Sequence, residues 1–103
     1  MLYDTKHDLS QDSQDLLNAA DYIDQNGWCQ GMTSWGKSVC LWGSLLAVTD
    51  GLDKRYNAPR AKALYDKVST HLGIYPAPWN DKPERTKAEV TALLREVALK
   101  AKE

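Results

Sequence analysis

Ser38-Val39-Cys40-Leu41-Trp42-Gly43-Ser44-Leu45-Leu46-Ala47-Val48-Thr49 is apolar nearly all round, the pattern of an element covered by protein on most sides. Val39 to Trp42 alone would suit a short strand, but the length and the Leu45-Leu46-Ala47 continuation favour a central helix. In that helix Gly43 would admit a neighbouring helix at close range. An element of this kind needs apolar stripes packed around it, and the chain supplies them on both sides.

Upstream, Leu16, Ala20 and Ile23 recur at helical spacing, with Leu17 and Ala19 widening the stripe, and predict a helix over 12–26. Gly27 ends it, and Asp12 and Asp15 place negative charge near its positive end. Downstream, Pro59 suits the first position of a helix because the N–H it lacks would be unpaired there, and Asn57 is the candidate cap. Ala61, Leu64, Tyr65, Val68 and Leu72 form its stripe, and Gly73 closes it. The last helix opens on Thr86-Lys87-Ala88-Glu89, a capping box in which Thr86 and Glu89 each accept from an otherwise orphaned backbone N–H. Val90, Leu93, Leu94, Val97, Ala98 and Ala101 follow on one face.

Two segments break periodicity. Residues 27–36 hold three glycines and read as an ordered loop, which Trp28 and Trp35 would pin by burying their indoles. Residues 74–85 hold three of the four prolines and read as a proline-stiffened loop. The fold expected is all-α: a single domain over 1–103, a compact bundle of about four helices with two ordered Trp-containing loops and at most one short strand within 28–42. Residues 1–11 precede it as a loosely ordered N-terminal segment. A chain of 103 residues, 43% hydrophobic and 26% charged, is suited to one core.

The net charge of −1 lacks the basic balance that phosphate neutralisation requires, so nucleic acid is a poor candidate partner. Charge is nevertheless uneven. Residues 1–24 carry six aspartates against Lys6, whereas in 51–70 five Lys and Arg outweigh two aspartates. The two segments are either solvated faces of opposite sign or partners within the fold or between subunits. Two cysteines, Cys29 and Cys40, make no disulfide scaffold and fit a reducing compartment. With no apolar run long enough to span a bilayer and no basic, apolar leader, a cytoplasmic protein without a membrane partner is expected.

No phosphate-binding loop is expected, and neither G-x-S-x-G nor H-E-x-x-H occurs, so no catalytic residue is assigned. His7, His71, Cys29 and Cys40 lack the spacing of a structural zinc site, and neither metal nor cofactor is expected. Trp79-Asn80-Asp81-Lys82-Pro83-Glu84-Arg85-Thr86 is more suggestive, since an indole, an amide, a carboxylate and a guanidinium precede a helix N-terminus. There Arg85 and free N–H groups would hold an anion while Trp79 stacks on a ring, with Trp28 as a second wall. The competing account needs no ligand: Asn80 and Asp81 make turn bonds, Pro83 fixes the loop, Arg85 pairs with a carboxylate and Trp79 packs in the core.

Gly-Trp-Cys-Gln-Gly (27–31), Val-Cys-Leu-Trp-Gly-Ser-Leu (39–45) and Trp-Asn-Asp-Lys-Pro-Glu-Arg-Thr (79–86) together resemble an uncharacterised family of small actinobacterial and phage proteins. The resemblance covers most of 14–98. It implies a shared fold and a phage source, and it names no catalytic residue. Two functions follow from the residues themselves. One is a non-enzymatic interaction protein that binds itself or a host protein through helix faces and tryptophan-bearing loops. The other is a binder of a small nucleotide-like anion built on Trp28, Trp79, Asn80, Asp81 and Arg85. An enzyme using Asp81 as base or Cys29 as nucleophile is the least favoured reading.

Overall fold

The computed structural model describes residues 10–101. Helix α1 (Gln11–Asn26) is followed by a two-residue hairpin, β1 (Ser34–Trp35) and β2 (Ser38–Val39), and then by helix α2 (Leu41–Val48). A 3-10 turn at Leu52–Lys54 leads to α3 (Pro59–Leu72), a five-residue helix α4 (Pro76–Asn80), and α5 (Lys87–Ala101). The all-α expectation holds, with the strand content confined to the hairpin and an isolated parallel bridge between Trp28 and Val39. Of the N-terminal segment 1–11, residues 1–9 fall outside the described part, while Ser10 and Gln11 cap and open α1.

The apolar stripes do what their spacing foretold. Leu16, Ala19, Ala20 and Ile23 of α1 meet Val90, Leu93, Leu94, Val97 and Ala98 of α5 along an antiparallel pair, and both close over Leu41, Leu45 and Leu46 of α2. Ala61, Leu64 and Val68 of α3 complete a single buried cluster. Two hydroxyls fasten the open end of the α1–α5 pair: Ser13 donates to the Ala98 carbonyl at 2.6 Å and Ser10 to that of Ala101 at 3.2 Å. The uneven charge is resolved within the fold, because Arg60 of α3 lies 2.9 Å from Asp12 and 2.6 Å from the nearly buried Asp15, and Lys67 lies 3.4 Å from Asp12. Those carboxylates hold the Arg60 guanidinium above its ordinary pKa. On the outer side of the pair Arg95 bridges Asp21 and Asp24.

Helix ends account for most departures from expectation. The capping box at Thr86 forms in both directions, Thr86 N–H to Glu89 Oε1 at 2.9 Å and Glu89 N–H to Thr86 Oγ1 at 3.2 Å, and the Thr86 N–H, with help from the Thr86 hydroxyl and Arg85, holds the Glu89 carboxyl below its usual range. Asn57 does not cap α3. Asp50 does so instead, from the far end of the preceding loop, by accepting the Ala61 N–H at 2.9 Å. The proline loop contains α4, because Pro76 stands at the first helical position, where a missing N–H costs nothing.

Helix α2 begins later than expected. Ser38 and Val39 belong to the hairpin, and Cys40 is the N-cap. Gly43 does permit a close approach, but the neighbour is the Thr33 carbonyl of the loop, with which a Cβ would collide, rather than a helix. Gly27 is required twice over: its φ of 104° disfavours any L side chain, and a Cβ there would lie 2.5 Å from Ser38 Oγ.

Candidate functional site

The two irregular segments meet, and Asn80 is where they are joined. Its side chain is 1% exposed, and all four of its hydrogen-bonding positions are used. Oδ1 accepts from Trp28 Nε1 at 2.8 Å and from the Leu41 N–H at 3.1 Å, while Nδ2 donates to the Cys29 carbonyl at 3.2 Å and to Asp81 Oδ1 at 2.9 Å. Asp81 Oδ1 also accepts from the Gly31 N–H at 2.9 Å, and Gln30 Nε2 donates to the carbonyls of Asn80 and Lys82 at 3.0 and 2.7 Å. These bonds span some fifty residues of sequence rather than a local turn. They also cap α2, because the Leu41 N–H goes to Asn80 and the Gly43 N–H to Cys40 Sγ at 3.4 Å.

The five residues singled out in the sequence are thus gathered in two adjoining groups. Trp28, Asn80 and Asp81 form the joint just described. Trp79 and Arg85 form a second unit, in which the guanidinium carbon stands 3.8 Å from the indole centroid, Nε donates to the Trp79 carbonyl at 2.8 Å and a terminal nitrogen lies 3.3 Å from Glu89. Arg85 is 15% exposed in its side chain and engaged on its face and its edge by the protein itself. Trp35, expected to be buried, is 71% exposed. It sits at the tip of a two-residue strand with no partner layer above it, and backbone bonds fasten the loop in its place: Val39 N–H to the Gly27 carbonyl, Cys29 N–H to that of Val39, and Cys40 N–H to that of Thr33.

Beside this joint lies an open cleft of about 600 Å³ that the sequence did not reveal. Its walls are mainly apolar. Trp42 and Tyr65 meet edge to face with centroids 5.4 Å apart, Tyr75 and Met32 stand at the rim, and Cys40 lies within. Tyr65 is fixed by accepting the Ala77 N–H at 3.0 Å, so α4 positions this wall. Asp66 and Asp81 also line the cleft, and its one lysine, Lys62, is paired to Asp66 at 3.0 Å. Tyr75 is 72% exposed and Met32 46%, which leaves large apolar surface at the entrance. Of its lining, Asn80 and Asp81 had been marked beforehand as site residues and Tyr65 and Trp42 as packing residues, but not as walls of one opening, because the cleft takes lining from the Gly31–Thr33 loop, α2, α3 and α4 at once.

The expectation of no phosphate-binding loop is corrected by the sequence itself, and the fold places the stretch concerned in a hairpin. Gly31-Met32-Thr33-Ser34-Trp35-Gly36-Lys37-Ser38 has the G-x-x-x-x-G-K-S spacing of such a loop. The motif works when its Lys and Ser open a helix whose free N–H groups face the phosphates. Here Gly36-Lys37 is the turn of a hairpin, Ser38 enters β2, and α2 starts only at Leu41, with the Leu41 and Gly43 N–H groups of its first turn already engaged.

Burial raises both thiols above their ordinary pKa of 9.0. At Cys29 the neighbouring Cys40 and Asp81 add to the effect, while at Cys40 the backbone N–H groups of Gly43 and Trp42 partly offset it. A thiol held protonated is a poor nucleophile at neutral pH. Among the described residues no group of three or more His, Cys, Asp or Glu side chains is placed to hold a metal ion, and no helix is long and apolar enough to cross a membrane. His7 lies outside the described residues. No curated protein and no solved structure matches the chain. A family model does match, over residues 8–100, and with the Gly-Trp-Cys, Cys-Leu-Trp-Gly and Trp-Asn-Asp motifs all inside that span the chain belongs to the family of unknown function DUF6197.

Proposed function

We propose that the chain is a non-enzymatic interaction protein, phage-encoded as its motif resemblance implies, that docks a host protein by seating an apolar or aromatic side chain in the cleft walled by Trp42, Tyr65 and Tyr75. The observation that supports this best is the combination of a 600 Å³ aromatic cleft with Met32 and Tyr75 exposed at its mouth. Buried aromatic anchors carry a large share of interface energy. The volume suits one or two side chains. The nucleotide-like anion is served less well, since Arg85 is engaged by Trp79 and Glu89, and the cleft's two carboxylates against one paired lysine repel negative charge.

The test is a binding measurement with purified components. A partner captured on the wild-type chain is purified and titrated against wild type, a Met32→Ala/Tyr75→Ala double variant, and Tyr56→Ala, a control at an exposed tyrosine away from the cleft lining. The double variant should lose at least about tenfold in affinity, about 1.4 kcal/mol, with the control unchanged. Equal binding by all three proteins removes the cleft from the interface. If the captured partner is a second copy of the chain, self-association replaces the host protein.

A further inference from the structure

We propose that Cys29 and Cys40 form a dithiol site that closes to an intramolecular disulfide when a small-molecule disulfide such as oxidised glutathione is supplied. Geometry carries this. The parallel bridge between Trp28 and Val39 is closed by the Cys29 N–H to the Val39 carbonyl and the Val39 N–H to the Gly27 carbonyl, both at 3.1 Å. In a parallel pairing the next residues along each strand, Cys29 and Cys40, stand opposite each other and project to the same side. Adjacent strands run about 4.8 Å apart, inside the Cα separation of about 4.4–6.8 Å that a disulfide accepts. Val39 is fully buried and Trp28 packs against the core, so the alternation of side chains turns both cysteines to the opposite, outer side.

The sulfurs behave accordingly. Both are unbridged and half-buried; Cys29 donates to the Met32 carbonyl at 3.6 Å and Cys40 accepts from the Gly43 N–H at 3.4 Å. Each of these contacts is weak. Proximity of the pair is also felt electrostatically, since Cys40 is among the causes that raise Cys29.

The chemistry balances with the oxidant named. The Cys29 thiolate attacks one sulfur of the glutathione disulfide and expels a glutathione thiolate, leaving a mixed disulfide. Cys40, deprotonated in turn, attacks the Cys29 sulfur and expels the second glutathione. Two electrons and two protons pass from the protein to two glutathiones. Because both thiols are held protonated, closure is slow at neutral pH and faster in alkali; the same poor thiolate stability makes the closed bridge resistant to reduction. Cys40 lines the cleft, so closure ties one cleft wall to the Trp28–Cys29 segment that follows α1.

The experiment equilibrates the full chain with defined ratios of oxidised to reduced glutathione, in native buffer and in denaturing urea, followed by acid quench, alkylation, intact mass and peptide mapping. The expected product is two hydrogens lighter and carries a Cys29–Cys40 cross-linked peptide. Since the two residues are also near in sequence, the deciding quantity is the effective concentration of one thiol at the other, which should be at least about tenfold higher in the folded chain than in urea. Cys29→Ser and Cys40→Ser should each accept a single glutathione and form no internal link. Mixed disulfides persisting at both cysteines, thiols that stay unreacted, a link between two chains, or equal effective concentrations folded and unfolded would each overturn the proposal.

Discussion

The α1–α5 interface and the joint between the Trp28 and Asn80 segments both tie distant parts of the chain together, yet they are held by opposite means. The first is a zipper of Leu, Ile, Val and Ala at helical spacing, with two serine hydroxyls at one end. The second rests on one asparagine that bonds to three separate stretches of backbone or side chain and has no spare donor or acceptor. Apolar packing distributes its energy over many contacts and tolerates loss of one. A saturated polar joint concentrates it, because removing the hub leaves several buried groups unpaired at once.

Asn80→Ala should therefore be the most damaging single change, about 4 kcal/mol from the orphaned Trp28 Nε1, Leu41 N–H and Cys29 carbonyl, measured by urea unfolding. Hydrogen exchange would show which region yields: protection should be lost over 27–48 and largely kept in α1 and α5. Leu94→Ala, at the centre of the α1–α5 zipper, should cost about 3 kcal/mol, as cavity formation usually does, and should lower protection throughout. If the two variants lose protection in the same pattern, the two regions are one cooperative unit and the contrast fails.

Smaller effects sharpen the comparison. Asp50→Ala removes the remote cap of α3 and should cost about 1 kcal/mol, with the loss confined to the first turn of α3 in an exchange experiment. Alkali probes the two thiols beside the polar joint. Below the ordinary thiol pKa of 9.0 both cysteines are protonated in the folded and unfolded chain; above it the unfolded chain releases protons that the folded chain keeps, so stability falls as pH rises through the folded values. A Cys29→Ser/Cys40→Ser variant should show a flatter stability profile above that point in thermal melts.

Legibility in the sequence divides along the same line. The stripes at Leu16–Ile23, Ala61–Leu72 and Val90–Ala101 declare their buried faces by period alone, and the Thr86–Glu89 box lies within four consecutive residues. Asn80 offered no such signal. Apart from its neighbour Asp81, its partners lie 39 to 52 residues away, and a short polar residue after Pro-Ala-Pro-Trp fits a turn equally well. Asp50 was missed for the same reason, with Asn57 nearer in sequence to the helix it would have capped. The five residues chosen as a site did mark a place where distant segments converge. The cleft beside it was hidden because Tyr65 reads as core from its helix, and Tyr75 as loop, until α4 brings them to one opening.

One consequence of the Asn80 bond to Leu41 concerns the order in which the molecule can be made. Helix α2, eight residues at the centre of the core, obtains a first-turn partner from a side chain that leaves the ribosome 39 residues after it. So short a helix is marginal on its own. During synthesis the middle of the protein waits for its later part, and α1 waits longer still, for α5. Assembly is thus postponed until α5 has emerged, and a fragment ending before residue 80 lacks the group that completes its own central helix.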